Sequence, residues 1–223
     1  MKLDRHPQIK AILFDLDGTL IDSESVHYSC WNELLEPFGA KIGIEDYVAN
    51  FQGVSITRNA EHLRSVYGIP LGAEELIRGR EALYQVRLSL GEIKLMPFAA
   101  EILQACARVS APTGLVTSSA RKEADVILKM TGFDQYFKAS VTRTEVTNFK
   151  PHPEPYLIAA NLMEVHAAQC LVVEDTFSGV SSAKAAGMMC FGVQADLVEA
   201  EKLRGVADRL FSNLQEVSQF LEI

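Results

Sequence analysis

Short apolar runs, too brief to be helices, recur through this chain with helical stretches between them. Ile9 to Asp15 is such a run, ending in an acid. Thr113 to Ser118, Ala139 to Val141, Cys170 to Glu174 and Cys190 to Val193 also read as buried strands. Between them Glu101 to Val109, Lys122 to Thr131, Pro155 to Glu164 and Gly179 to Ala186 have the length of helices. Gly132 and Gly187 stand where left-handed caps would close two of these helices, and Ser178 stands where an N-cap would open the last. Strands alternating with helices predict the α/β class, a doubly wound parallel sheet covered on both faces.

The stretch from Ser23 to Lys94 breaks this alternation, with helices and no strand. Val26, Cys30, Leu34 and Phe38 fall four apart as one apolar stripe, and Gly39, Gly43, Gly53, Gly68 with Pro70, and Gly91 punctuate the rest. An insert of this size after the first strand predicts a separate helical lobe. The expected division is an α/β core of residues 1–22 and 95–223 with a helical domain of residues 23–94. Open α/β sheets bind ligands at the C-terminal ends of their strands, and the lobe is expected over that end of the first strand.

The chain has 223 residues, enough for one sizeable domain or a domain with an inserted lobe. Its formal net charge of −8 argues against nucleic acid as a partner, because phosphate backbones need a positive surface. No apolar run approaches the ~20 residues that span a bilayer. The start, Met1 to Lys10, is polar, and Ala11 to Phe14 is too short for a signal-peptide core, so the chain reads as cytoplasmic with no membrane partner. Cys30, Cys106, Cys170 and Cys190 form no C-x-x-C and read as free core cysteines rather than disulfides or a zinc site. Neither G-x-x-x-x-G-K-[ST] nor G-x-G-x-x-G is present, so no nucleotide-binding loop is indicated.

The sharpest local feature is Asp15-Leu16-Asp17-Gly18-Thr19. Carboxylates at i and i+2 leave a strand on one side, and at a buried strand end they are costly unless a cation is present. Read alone, this is a strand closing in a solvated D-x-D-G turn. Three later features change the balance. Ser118, with Thr117 and Ser119, ends a strand where a hydroxyl and free N–H groups would hold phosphate oxygens, although an N-cap serine looks the same. Lys150 precedes Pro151, which biases it to an extended backbone ahead of a helix, although a lone lysine is usually on the surface. Glu174-Asp175 ends another strand, as ligands of a hard cation or as acids favouring a helix N-terminus. Together they put acid pair, hydroxyl, lysine and acid pair along one sheet edge. Metal-assisted phosphoryl transfer requires such a set.

In this order the four features resemble the haloacid dehalogenase superfamily over nearly the whole chain. Asp15 to Thr19 matches its first motif, Ser118 its second, Lys150 its third and Glu174-Asp175 its fourth. The inserted helices resemble the family's small cap, and within the family the chain is similar to the sugar-phosphate phosphatases and beta-phosphoglucomutase. The resemblance implies a Mg2+-dependent phosphatase that cleaves small phosphate monoesters through a phospho-aspartate. Sugar and sugar-acid phosphates, 6-phosphogluconate among them, are the implied substrates. Asp15 is the implied nucleophile, and Asp17 the acid that protonates the leaving oxygen and then the base that activates water. Mg2+ would be held by Asp15, the backbone carbonyl of Asp17 and Asp175, with Glu174 in support. Ser118, Ser119 and Lys150 would hold the phosphoryl group, and Thr19 would orient the loop. Many relatives carry asparagine where this chain has Ser119. In the cap, His27 and Arg80 would face the site on closure, His27 touching Asp17 or substrate and Arg80 binding a second anionic group. The implied partner is a small phosphorylated metabolite, and nothing in the sequence demands more than a monomer.

A phosphoryl mutase needs the same core motifs, so the core sequence does not separate the two activities. A dehalogenase has no leaving oxygen to protonate, and in that branch the second acid is replaced, whereas Asp17 is present; a phosphonate hydrolase is disfavoured on the same ground. A receiver-type signalling domain carries its phosphorylated aspartate on a later strand and has no helical insert. The D-x-D of a nucleotide-sugar transferase would leave Ser118 and Lys150 unexplained.

Overall fold

The computed structural model describes residues 9–52 and 54–223. The polar start before Ile9 and the punctuating Gly53 lie outside the described residues. The chain divides into two compact units, one running up to Ile21 and resuming over Leu95–Ile223, the other Asp22–Lys94.

The first unit is built on β1 (Ala11–Phe14), β4 (Thr113–Val116), β5 (Phe137–Val141), β6 (Cys170–Glu174), β7 (Met189–Val193) and β8 (Arg209–Phe211), in the spatial order β5-β4-β1-β6-β7-β8. Every neighbouring pair is parallel. The helices between them are α5 (Ala99–Arg108), α6 (Arg121–Thr131), α7 (Glu154–Leu162), α8 (Phe177–Ala185) and α9 (Leu197–Leu203), and α10 (Leu214–Leu221) follows β8. Parallel strands need crossovers, and helical crossovers cover both faces, so β1, β4 and β6 are buried at every residue. Ala11, Leu13, Cys170 and Val172 share a core with Tyr156 and Ala159 of α7, with Met163 just after that helix, and with Val180 and Ala183 of α8. Alternation turns Ile12, Phe14, Leu171 and Val173 to the opposite face. Phe14, the last residue of β1, pairs with Leu115 on one side and Val173 on the other, so β4 and β6 each run one residue further and end beside Asp15. The chain lays strands to one side of β1, then to the other, which makes that edge a topological switch point.

The second unit holds α1 (Ser23–Leu35), α2 (Ile44–Asn50), α3 (Ile56–Val66) and α4 (Ala73–Ser89). Two-residue strands, β2 (Ile21–Asp22) and β3 (Lys94–Leu95), pair where the chain leaves and returns. Trp31, Leu35, Ile42, Tyr47, Phe51, Leu63, Ile69 and Leu76 form this unit's own core. Asn32 ties the chain after α1 back to that helix, its Oδ1 accepting from the Ile42 N–H at 2.8 Å.

Two local expectations are corrected. The buried face of α1 is Val26, Cys30, Trp31 and Leu35, while Phe38 lies past the helix and is 38% exposed. A helix turns every 3.6 residues, so a strict step of four drifts by about 40° each time and leaves the buried face. The N-cap of α8 is Thr176, whose hydroxyl accepts from the Gly179 N–H at 3.0 Å, and not Ser178. The helix begins at Phe177, an exposed aromatic that gives no sequence cue to a start. All four cysteines are buried and unpaired. Among the described residues no helix is long and apolar enough to cross a membrane.

Gly114 shows how tightly β4 is enclosed. A Cβ there would lie 2.7 Å from Leu13 Cδ2 and 2.7 Å from Met163 Sδ. Gly114→Val is expected to destabilise the fold by about 1–3 kcal/mol through overpacking. An unchanged thermal midpoint, measured by circular dichroism, would show that the face has room to spare.

Candidate active site

The turn after β1 is set by its backbone. Asp15 N–H donates to Val173 O at 3.1 Å, which continues the sheet by one residue. The chain then folds back, with Gly18 N–H donating to Ile21 O and the N–H groups of Leu20 and Ile21 both donating to Leu16 O. Gly18 has φ +84, and a Cβ there would sit 2.1 Å from Asp175 Oδ2, so conformation and space both require glycine. Thr19 donates its hydroxyl to Asp175 Oδ1 at 2.9 Å. The two acid motifs thus meet directly across the ends of β1 and β6.

Lys150 reaches the same place from the loop before α7. Its ammonium uses three protein acceptors: Asp15 Oδ1 at 2.6 Å, Glu174 Oε1 at 2.7 Å and the Val116 carbonyl at 3.0 Å. An ammonium has three donors, so this set is complete. The side chain is only 6% exposed, which rules out the surface-lysine reading. Burial works against the charged form, but the Asp15 and Glu174 carboxylates outweigh it and hold the ammonium above its usual range. Glu174 is equally engaged. Tyr156 OH also donates to its Oε1 at 3.2 Å, and the Thr176 N–H and hydroxyl both donate to its Oε2 at 2.9 Å. Glu154 organises the approach to Lys150 by accepting from the N–H groups of Thr147 and Asn148 and from the Asn148 amide.

After β4, Ser118 is exposed at the strand end. Its neighbours turn inward. Ser119 donates its hydroxyl to Asp17 Oδ2 at 2.7 Å, and Thr117 donates to the same oxygen at 3.2 Å. The structure therefore brings these residues to one end of the sheet in three hydrogen-bonded groups, Asp15 with Lys150 and Glu174, Thr19 with Asp175, and Asp17 with Ser119, with Ser118 on the adjoining loop. Tyr156, Thr176 and Glu154 were missed in the sequence, and Thr117 was noticed only as a strand end. Their side-chain partners are distant along the chain or depend on the exact helix start, and short motifs carry no signal for either.

Four carboxylates, those of Asp15, Asp17, Glu174 and Asp175, gather around one lysine. Burial pushes the Asp15 carboxyl up to about 8, against the pull of Lys150 and reinforced by Glu174 and Asp17. Burial, then Glu174 and Asp15, push Asp175 well above the carboxylate range. Carboxylate oxygens in excess of positive charge are the donor chemistry of a small divalent cation, although among the described residues no three acids are drawn together as a ligand set.

The helical unit has a cavity of about 190 Å³, bordered by Glu24, His27, Trp31, Tyr47, Asn59 and Arg80 among others. His27 Nδ1, Asn59 Oδ1 and Arg80 Nε are enclosed without hydrogen-bond partners among the described residues. The Tyr84 ring lies 4.5 Å from the His27 ring and 5.3 Å from Arg80 Cζ. His27 and Arg80 are each partly exposed, with the atoms named enclosed. A larger cavity, about 540 Å³, lies beside the N-terminal end of β1 around Ile9 to Ile12 and Val109 to Pro112, and has no acid pair in its lining.

A family model for haloacid dehalogenase-like hydrolases matches residues 9–187. The chain is 30% identical over 177 residues to the fructose-1-phosphate phosphatase YqaB of Escherichia coli, covering 79% of this chain and 92% of that one. It is 30% identical over 195 residues to the beta-phosphoglucomutase of Bacillus subtilis, covering 83% of each. Its structure is similar to that of CbbY from Rhodobacter sphaeroides in complex with phosphate, with a TM-score of 0.76 and 25% identity over 96% of this chain and 100% of that one.

Burial, and then the Arg80 guanidinium, push the His27 imidazole down to about 3. The unfolded chain takes up that proton below about 6.5. Between those values the unfolded state binds more protons, so stability is lost as pH falls. His27→Gln is therefore expected to lose less thermal stability than the wild type between about pH 7 and about pH 4. Parallel curves for the two proteins would show that His27 is not held neutral.

Proposed function

The chain belongs to the haloacid dehalogenase-like hydrolases and is a phosphoric monoester hydrolase, and on that premise we propose a magnesium-dependent phosphatase of sugar or sugar-acid phosphates that works through a phospho-aspartate on Asp15. The observation that carries this reading is the pairing of Asp15 with the buried Lys150 side chain at 2.6 Å, at the end of β1 where Asp175 lies against Gly18 of the turn that carries Asp17. Asp15 attacks phosphorus, the bond from phosphorus to the ester oxygen breaks, and Asp17 gives its proton to the leaving alcohol. Asp17 then takes a proton from the water that attacks the acyl phosphate, which frees Asp15 and releases inorganic phosphate. General acid–base help of this kind is worth roughly 10²–10⁴-fold. Ser118 holds the phosphoryl oxygens, Lys150, its donors committed to Asp15, Glu174 and the Val116 carbonyl, offers them its charge, and Thr19 keeps Asp175 against the turn. Asp15, the Asp17 backbone carbonyl and Asp175 would hold Mg2+, with Glu174 supporting them by fixing Lys150. When bound, the ion supplies positive charge that offsets the repulsion between a carboxylate nucleophile and a phosphate.

Asp15→Asn is expected to lower phosphate release by on the order of 10³-fold or more while leaving the fold intact. Excess chelator should do the same to the wild type, and added Mg2+ should restore it. Substantial turnover by the variant, or full activity in chelator, would rule out the mechanism. The screen should cover sugar phosphates, sugar-acid phosphates such as 6-phosphogluconate, and nucleotides.

In the helical unit we assign recognition of the rest of the substrate to His27 and Arg80. The support is the enclosed, unpartnered Arg80 Nε and His27 Nδ1 in a cavity of the size of a few water molecules. A guanidinium favours a carboxylate or phosphate. Arg80→Ala should cut kcat/KM on sugar-acid phosphates at least about 10-fold and change neutral sugar phosphates much less. Equal losses on both classes would remove Arg80 from specificity without touching the chemistry at Asp15. The likeness to a beta-phosphoglucomutase keeps a mutase as the second reading. Transfer between positions of a sugar phosphate, primed by a bisphosphate and outrunning release of inorganic phosphate, would establish it.

A further inference from the structure

Asp17 has one oxygen spoken for. Ser119 Oγ at 2.7 Å and Thr117 Oγ1 at 3.2 Å both donate to Oδ2, while Oδ1 has no hydrogen bond among the described residues. The two hydroxyls are themselves fixed. Thr117 is 4% exposed, its N–H donates to Val141 O at 2.9 Å, and its Oγ1 accepts from the Ser119 N–H at 3.0 Å. Ser119 O accepts from the Arg143 N–H at 3.0 Å. The loop after β4 is thus pinned to the end of β5 from both residues, and its hydroxyls are aimed by backbone geometry.

A carboxyl group that receives two hydrogen bonds on one oxygen carries its transferable proton on the other, because the first is filled as an acceptor. We propose that Ser119 is a positioning residue for Asp17. Its hydroxyl fixes Oδ2, so that Oδ1 is the atom that delivers a proton to the leaving oxygen and later accepts one from water. Thr117 acts in the same direction, through the longer bond to Asp17 and by orienting Ser119. The inference rests on Asp17 serving as the general acid and base. It gives Ser119 a role separate from phosphate binding, since a hydroxyl that donates to Asp17 has no second proton to offer a phosphoryl oxygen.

The test compares kcat/KM for Ser119→Ala, Asp17→Asn and wild type on two esters, a sugar phosphate and p-nitrophenyl phosphate. This parameter covers the steps through cleavage of the ester bond. A sugar alkoxide needs a proton to leave, whereas p-nitrophenolate leaves without one. Ser119→Ala is expected to lose about 10-fold on the sugar phosphate, part of the contribution of a general acid, and less than about 2-fold on the aryl ester. Equal losses on both esters would mark a structural role or a phosphate contact, and no loss on either would remove Ser119 from the reaction; both overturn the inference. Asp17→Asn separates it from the reading beneath it. A leaving-group-dependent loss in Asp17→Asn but not in Ser119→Ala sinks the inference alone, and its absence in both sinks the general-acid role itself.

Discussion

The Lys150 ammonium, clamped between Asp15 and Glu174, is the interaction on which the rest of this site depends. Bringing Asp15, Glu174 and Asp175 to adjacent strand ends concentrates negative charge where water is scarce, and that arrangement is costly without a counter-charge. Lys150 supplies one and has no donor left over. Glu174 in turn is held by Tyr156 and Thr176, so the lysine is fixed from below by core residues and from the side by a helix N-cap. Even α8 is shaped by this pairing, since a Cβ at Gly179 would fall 1.5 Å from Glu174 Oε1. Removing one partner would leave a buried charge unpaired, a loss of about 3–5 kcal/mol in other proteins.

Such a cluster needs a scaffold that delivers side chains from distant parts of the chain to one edge. Asp15 and Lys150 are separated by 135 positions, and Thr19 and Asp175 by 156. Parallel pairing of β1 with β4 and β6 does this, because the register puts Asp15 in the row of Val116 and Glu174, with Thr117 and Asp175 one residue beyond. The helical unit has its own core, so the lining of its cavity can change without disturbing the strand ends. That division agrees with relatives named for different phosphorylated sugars.

The sequence by itself determined the strand and helix alternation, because parallel strands covered on both faces must be continuous apolar runs and their crossovers must be long. It also determined the acid pairs and their order, since polar residues at the ends of apolar runs stand out whatever the fold. Only the tertiary structure decided what those residues touch. Tyr156 looks like one more core aromatic until its hydroxyl is found on Glu174. Ser119 looks like a second phosphate hydroxyl until it is found on Asp17. The strand β8, three residues long, carries too little pattern to read alone. The start of α8 and the buried face of α1 were likewise settled by packing, because a sequence pattern fixes a period but not its phase against a neighbour. Hydrogen-bond partners more than a hundred residues apart are chosen by register and crossover geometry, and no local signal in the chain encodes that choice.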